Sequence, residues 1–255
     1  MENQQSTTAS ENIITLEDFA ILELGRTRRI WIYLPINYFD TDKHYPVIYM
    51  HDGQNLFDET TAMDEEWCID EGLNSMGAEC IIVGIDNSEK RMNEYNFFDH
   101  EEYGEGEGHQ YIQFIANNLK PYIDANFRTL PEREFTFMAG SSMGGLISLF
   151  GTVAYAETFG GAGVFSPAIW LVADKLEELH KIAAHTTHLP QKFYFYGGLN
   201  EGENMMEYIT VVNQILNNYE HFETYFEADP EGEHSEKYWR NKFPDFYKWL
   251  TQKIK

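Results

Sequence analysis

Basic side chains are scarce in this chain. Across 255 residues, 18 Lys and Arg face 42 Asp and Glu, a net charge of −24. A field of that sign repels phosphate backbones and anionic bilayers, so neither nucleic acid nor a membrane is an expected partner. Cysteine is scarcer still: Cys68 and Cys80 are the only two, too few for a disulfide framework, and reduced thiols are expected. No apolar run approaches the length of a membrane span. The start, "MENQQSTTASEN", has neither the basic nor the apolar region of a secretory signal. The expectation is a soluble, cytoplasmic protein with a disordered segment at residues 1–12 and one domain over residues 13–255. No linker-like stretch or repeat divides the remainder.

Short apolar runs are present, and they alternate with helical patterns. "RRIWIYL" at residues 28–34, Val47–Met50 and Cys80–Ile85 read as strands. Tyr111–Asn126 carries a helical apolar stripe through Ile112, Ile115 and Leu119. Phe135–Ala139 then reads as a strand and Met143–Ala154 as a helix. "GGAGVFSP", Ala173–Ala184, "KFYFYGG", Met205–Leu216 and Phe222–Glu227 continue the alternation. A final helical stretch, "SEKYWRNKFPDFYKWL", contains Pro244, which predicts a break or kink. Continuous apolar strands alternating with helices predict an α/β fold with a mostly parallel central sheet and helices on both faces. In such sheets reactive groups collect beyond the carboxyl ends of the strands.

At one of those ends the chain reads "FTFMAGSSMGGLISLF". Gly140 and Gly144 stand two positions either side of Ser142, a G-x-S-x-G pattern between a strand and a helix. A serine pushed out on so tight a turn needs neighbours without bulk. The helix that follows aims its free N–H groups at the same place, and the N–H of Met143 can serve an oxyanion. Ser141 is the rival nucleophile, but only Ser142 has glycine on both sides.

A serine nucleophile needs a base, and the base needs an orienting acid. In this arrangement they follow in the order serine, acid, histidine. His180, His185 and His188 flank a helix end with no partner to complete a metal site, and neither metal nor cofactor is expected. His221 stands at the wrong end of its strand. His234, in "ADPEGEHSEKYW", follows the last strand at the carboxyl edge. The candidate acid is Glu201 in "KFYFYGGLNEGEN", with Glu203 and Asp174 as alternatives. For the second oxyanion donor, "YMHDGQNLFD" turns off an early strand and offers backbone N–H groups at Gly53, Gln54 or Asn55. Trp170 and Asn55 are the candidate substrate contacts. The acidic, Gly-rich "DHEEYGEGEGHQ" lacks the spacing of an EF-hand and reads as an entrance loop.

Taken in order, "HDGQNLFD", "VGIDNSEKRMNEY", "AGSSMGG", "GVFSPAIW", "GGLNEGEN" and "EGEHSEKYWRNKFPDF" resemble the esterase D-like branch of the α/β-hydrolases, from about Ile30 to the end of the chain. That branch includes S-formylglutathione hydrolases, siderophore esterases, feruloyl and acetylxylan esterases and mycolyltransferases. The resemblance implies an α/β-hydrolase fold, Ser142 as nucleophile, His234 as base and an acid in the "GGLNEGEN" loop, where relatives often carry Asp. It also implies a structural ion pair between Arg91 and Glu94. The expected activity is serine carboxylesterase, acting on a small-molecule ester or thioester. An acyltransferase with the same acyl-enzyme, or a non-catalytic binding module on a hydrolase scaffold, are the alternatives.

Overall fold

The computed structural model describes residues 6–186, 188–202 and 204–251. Eight strands form one sheet: β1 (Ile13–Ile21), β2 (Arg26–Tyr33), β3 (Val47–His51), β4 (Ile81–Ile85), β5 (Thr136–Ser141), β6 (Gly161–Phe165), β7 (Gln191–Gly198) and β8 (Phe222–Asp229), in the order β1-β2-β4-β3-β5-β6-β7-β8. β1, β2 and β4 pair antiparallel, and from β4 through β8 every pairing is parallel. Among the described residues eight α-helices accompany them: α1 (Ile69–Met76), α2 (Arg91–Glu94), α3 (Gly108–Phe114), α4 (Lys120–Asn126), α5 (Met143–Ala154), α6 (Leu176–His185), α7 (Met205–Asn217) and α8 (Glu236–Thr251). This is the expected mostly parallel sheet.

Side-chain alternation along the buried strands sorts the core into two layers. Val47, Tyr49, Met138, Val164, Phe193 and Phe195 pack with α3, α5, α6 and α7. Ile48, Met50, Phe137, Ala139, Phe165, Tyr194 and Tyr196 face the opposite side, against α1 and α8. α8 lies close: a Cβ on Gly163 would meet the Phe246 ring at 2.8 Å. Among the described residues no helix is long and apolar enough to cross a membrane.

Three expectations change. Of the segment expected to be disordered, residues 1–5 lie outside the described residues, and buried carboxylates accept from residues within 6–12. Thr7 Oγ1 donates to Asp58 (2.6 Å) and the Ser10 N–H to Asp70 (2.9 Å). α8 runs through Pro244 without a break, since Phe243, Phe246, Tyr247 and Leu250 hold that helix in the core on both sides of it. Arg91 and Glu94 are not a pair. Glu94, fully buried, accepts instead from Arg28 (2.7 and 2.8 Å) and Arg26 (2.7 Å), joining α2 to β2.

Arg28 is also buried, so removing its carboxylate strands a charge away from water. Glu94→Ala should therefore lower unfolding stability by about 3–5 kcal/mol in urea melts. A loss under about 1 kcal/mol, the value of an exposed pair, would show that the pair is solvated.

Candidate active site

β5 ends at Ser141 and α5 begins at Met143, leaving Ser142 alone to make the turn. Its backbone sits at φ 55°, ψ −119°, a sparsely populated region for any residue with a Cβ. The glycines around it are sterically required. A Cβ on Gly140 would meet the Gly144 backbone at 2.8 Å, and one on Gly145 the Phe165 carbonyl at 2.8 Å. The Ser142 N–H donates to Phe165 O, and its carbonyl accepts from Leu146 and Ala168, each at 3.0 Å. Ser142 is half-buried, whereas Ser141 is buried within the strand, so only Ser142 is presented to a ligand. The N–H of Met143, at the first position of α5, lies where a helix has no internal acceptor for it.

The loop after β3 abuts the elbow. A Cβ on Gly144 would meet His51 Cβ at 3.2 Å and Asp52 Oδ2 at 3.3 Å. Asp52 takes a left-handed conformation, φ 57°, and a short turn at Gly53–Asn55 follows. Gly53 is pressed on β4: a Cβ there would meet backbone atoms of Gly84 and Ile85 at 2.8 Å. Arg91 clamps Asp52 through Nε (2.7 Å) and Nη2 (2.8 Å), and Asn87 adds a third bond at 2.7 Å. The Asn55 N–H is spent on the Asp52 carbonyl, and its side chain bonds Met63 and Glu236. Asn55 thus braces the loop.

Glu201 and His234 meet at the same edge. His234 Nδ1 lies 2.8 Å from Glu201 Oε2. Glu201 Oε1 accepts from the Gly198 N–H and from Ser166 Oγ, both at 2.7 Å, and the side chain has no exposed surface. Nδ1 is the ring nitrogen that faces the carboxylate, and Nε2 is turned away from it. The imidazole lies between Trp170 (ring centroids 6.4 Å apart) and Trp239 (5.0 Å), with its side chain 35% exposed. A continuous path connects this pair to the elbow: Ser142 bonds Phe165, whose neighbour Ser166 bonds Glu201. Among the described residues no hydrogen bond joins Ser142 Oγ to His234, a contact that in such sites tightens with ligand. Asp174 is exposed and pairs with Lys175, so it plays no part, and Glu203 lies outside the described residues. Ser166 follows β6 at this edge, and its partner Trp239 is the residue the sequence pattern does not reveal. The signal available was a tryptophan on the buried face of the last helix, whose indole N–H must find an acceptor.

A cleft of about 270 Å³, lined by Trp170, Glu201, Gly202, Asn204, Met205 and Tyr208, adjoins the pair. Trp170 is 46% exposed and forms a wall there. A larger cavity, about 760 Å³, opens at the amino ends of β5, β7 and β8, at the far end of the sheet from the elbow. Glu66, Cys68 and Glu71, at the start of α1, have donor atoms within 4.8 Å of one another. Burial pushes the Cys68 thiol up to about 11, so a cation there would have to displace its proton.

The family described as "Putative esterase" matches residues 22–250. Bacillus subtilis YbbA, an uncharacterized protein, is 29% identical over 168 residues, covering 64% of this chain and 62% of its own length. The Iron(III) salmochelin esterase of Escherichia coli O6:H1 is 30% identical over 156 residues, covering 59% of this chain and 34% of its own. The match thus spans less than two thirds of either relative. The solved structure of the BES protein from Bacillus cereus superposes with a TM-score of 0.76 at 20% identity, covering 99% of this chain and 98% of that one. That likeness is one of fold, the α/β-hydrolase fold.

At the end of β3, His51 is buried with Nδ1 3.0 Å from the Tyr111 hydroxyl, and burial lowers its pKa to about 3. Below the ordinary value of 6.5 the unfolded chain takes up a proton that the folded one refuses. Stability should therefore fall with pH through that window, by about 1.4 kcal/mol per unit. His51→Gln should remove about 2 kcal/mol of the loss between about pH 7 and pH 5 in urea melts. An equal loss in both proteins would show that His51 accepts the proton while folded.

Proposed function

From the premise that this chain belongs to the "Putative esterase" family of the α/β-hydrolase fold, we propose that it is a serine carboxylic ester hydrolase with a Ser142–His234–Glu201 triad. The observation that carries the reading is the buried Glu201 carboxylate 2.8 Å from His234 Nδ1, on the sheet edge that presents the Ser142 elbow.

Each step has a group to perform it. His234 Nε2 takes the Ser142 proton as Oγ attacks the ester carbonyl carbon. The tetrahedral oxyanion accepts from the Met143 N–H and from the Gly53 or Gln54 amide, donors fixed before substrate arrives. The imidazolium returns its proton to the alkoxide oxygen as the C–O bond breaks and the alcohol departs. Water then attacks the acyl-enzyme, with His234 again as base, and the acid leaves. Glu201 stays ionised throughout and holds the imidazole by its Nδ1–H. The exposed face of Trp170 gives the acyl or alcohol portion an apolar wall beside the reacting atoms.

The substrate is a small-molecule ester. Salmochelin esters are the first class to try, since an Iron(III) salmochelin esterase is a relative. The net charge of −24 favours the metal-free form over a polyanionic ferric complex. No observation favours an acceptor other than water, and a binding module has no use for an ordered acid–imidazole pair.

Ser142→Ala should lower turnover of a short p-nitrophenyl ester by on the order of 10⁶ and abolish labelling by a fluorophosphonate probe. Glu201→Gln, which keeps the shape but reverses the bond to His234, should cost on the order of 10⁴. Wild-type turnover or labelling in Ser142→Ala sinks the assignment, and a folded wild-type protein that does not label supports the binding-module alternative.

A further inference from the structure

We propose that Ser166 and Trp239 are positioning residues that hold the Glu201 carboxylate, and through it the Nδ1–H form of His234, by a one-way chain of hydrogen bonds. The inference rests on the triad reading above and concerns what keeps its acid in place.

Trp239 Nε1 lies 2.8 Å from Ser166 Oγ, which lies 2.7 Å from Glu201 Oε1. An indole N–H can only donate and an ionised carboxylate can only accept. The hydroxyl between them therefore has one allowed orientation, with its hydrogen toward Glu201. Both residues are buried, Ser166 completely, so water offers no substitute partner. Ser166 is held at φ 42°, a left-handed conformation that a glycine would adopt without strain. The side chain is what a glycine there would lack. Its own N–H is tied to Tyr196 O at 2.8 Å, so the hydroxyl starts from a fixed point.

The opposite end of the chain is fixed too. The Trp239 ring packs on Trp67 (centroids 5.6 Å, planes 32° apart). The backbone N–H of Trp67 in turn donates to the carbonyl of Asn55, in the loop after β3, at 2.8 Å. One aromatic pair thus braces both the acid and the loop. A glutamate has one more rotatable bond than an aspartate, and a second donor on Oε1 beside the Gly198 N–H removes that freedom.

The titratable groups around the pair are Tyr196 on β7 and Asp229 at the end of β8, joined to each other at 3.2 Å. Lys242 of α8 lies 4.0 Å from Asp229. Glu233 and Glu236 flank His234 in sequence. Tyr208 of α7 lines the cleft with Glu201, and among the described residues none of these six donates to Glu201.

Loss of the Ser166 donor makes the carboxylate a stronger base, so the inhibitory proton is taken up at higher pH. Ser166→Ala is expected to move the acid limb of kcat/KM for a short p-nitrophenyl ester upward by about half to one pH unit. It should also lower kcat by about tenfold, with KM changed less than about twofold. Trp239→Phe should shift the limb the same way by less, and should add no further shift in a Ser166→Ala background, because both act through one hydroxyl. The wild-type limb in folded Ser166→Ala and folded Trp239→Phe overturns the proposal, as do shifts that add. Should Ser166→Ala not fold, the limb of Trp239→Phe decides alone. Glu201→Gln separates the two readings: unimpaired turnover there rejects the triad itself. Collapse there beside a wild-type limb in Ser166→Ala rejects only the chain through Ser166.

Discussion

Ser142 occupies a backbone conformation that nothing local favours, and much of the site is arranged around making it affordable. Gly140 and Gly144 lie in contact, Gly145 touches the carbonyl of Phe165, and the β3 loop closes on Gly144 from above. Three parallel strands are thereby brought within a side chain's thickness of one another at their carboxyl ends. A strained turn persists only where its surroundings over-determine it, and here β3, β5 and β6 do so together. The same crowding brings His51 and Asp52 of the β3 loop against Gly144, at the first turn of the helix that follows the serine.

The other half of the site obeys a different constraint, that of burying an ionised carboxylate. Glu201 has no exposed surface, and its two oxygens take three donors, from Gly198, Ser166 and His234. Buried charge is tolerated when it is paired and hydrogen-bonded, and that network fixes the imidazole as a by-product. Asp52 is handled in the same way, by Arg91 and Asn87, with a loop rather than a base as the element held. Two buried acids, each with dedicated donors, frame the elbow.

The elbow was legible in the chain because steric exclusion leaves a local trace: glycines at fixed distances from one serine. The neighbourhood of Glu201 and His234 was legible because each follows a strand that ends at the same edge. Partnerships across long separations left no such trace. Nothing near Ser166 announces an indole 73 positions later. Arg91 and Glu94 sit one helical turn apart and invited a local pairing, yet each found a better partner on a neighbouring element. β1 was overlooked because it is an edge strand with only Ile21 fully buried, so its apolar alternation is weak. Pro244 misled for the converse reason: local propensity argued for a break, and packing of α8 on the sheet prevailed.

The proposed nucleophile and the base and aromatic brace that would serve it come from distant stretches of the polypeptide, on either side of β6, β7 and β8. They meet only because those strands lie side by side in one sheet. Any slippage of α8 on that sheet would reach the chemistry through Trp239 before it disturbed the turn at Ser142, so turnover would be a finer gauge of packing at this edge than the melting of the whole molecule.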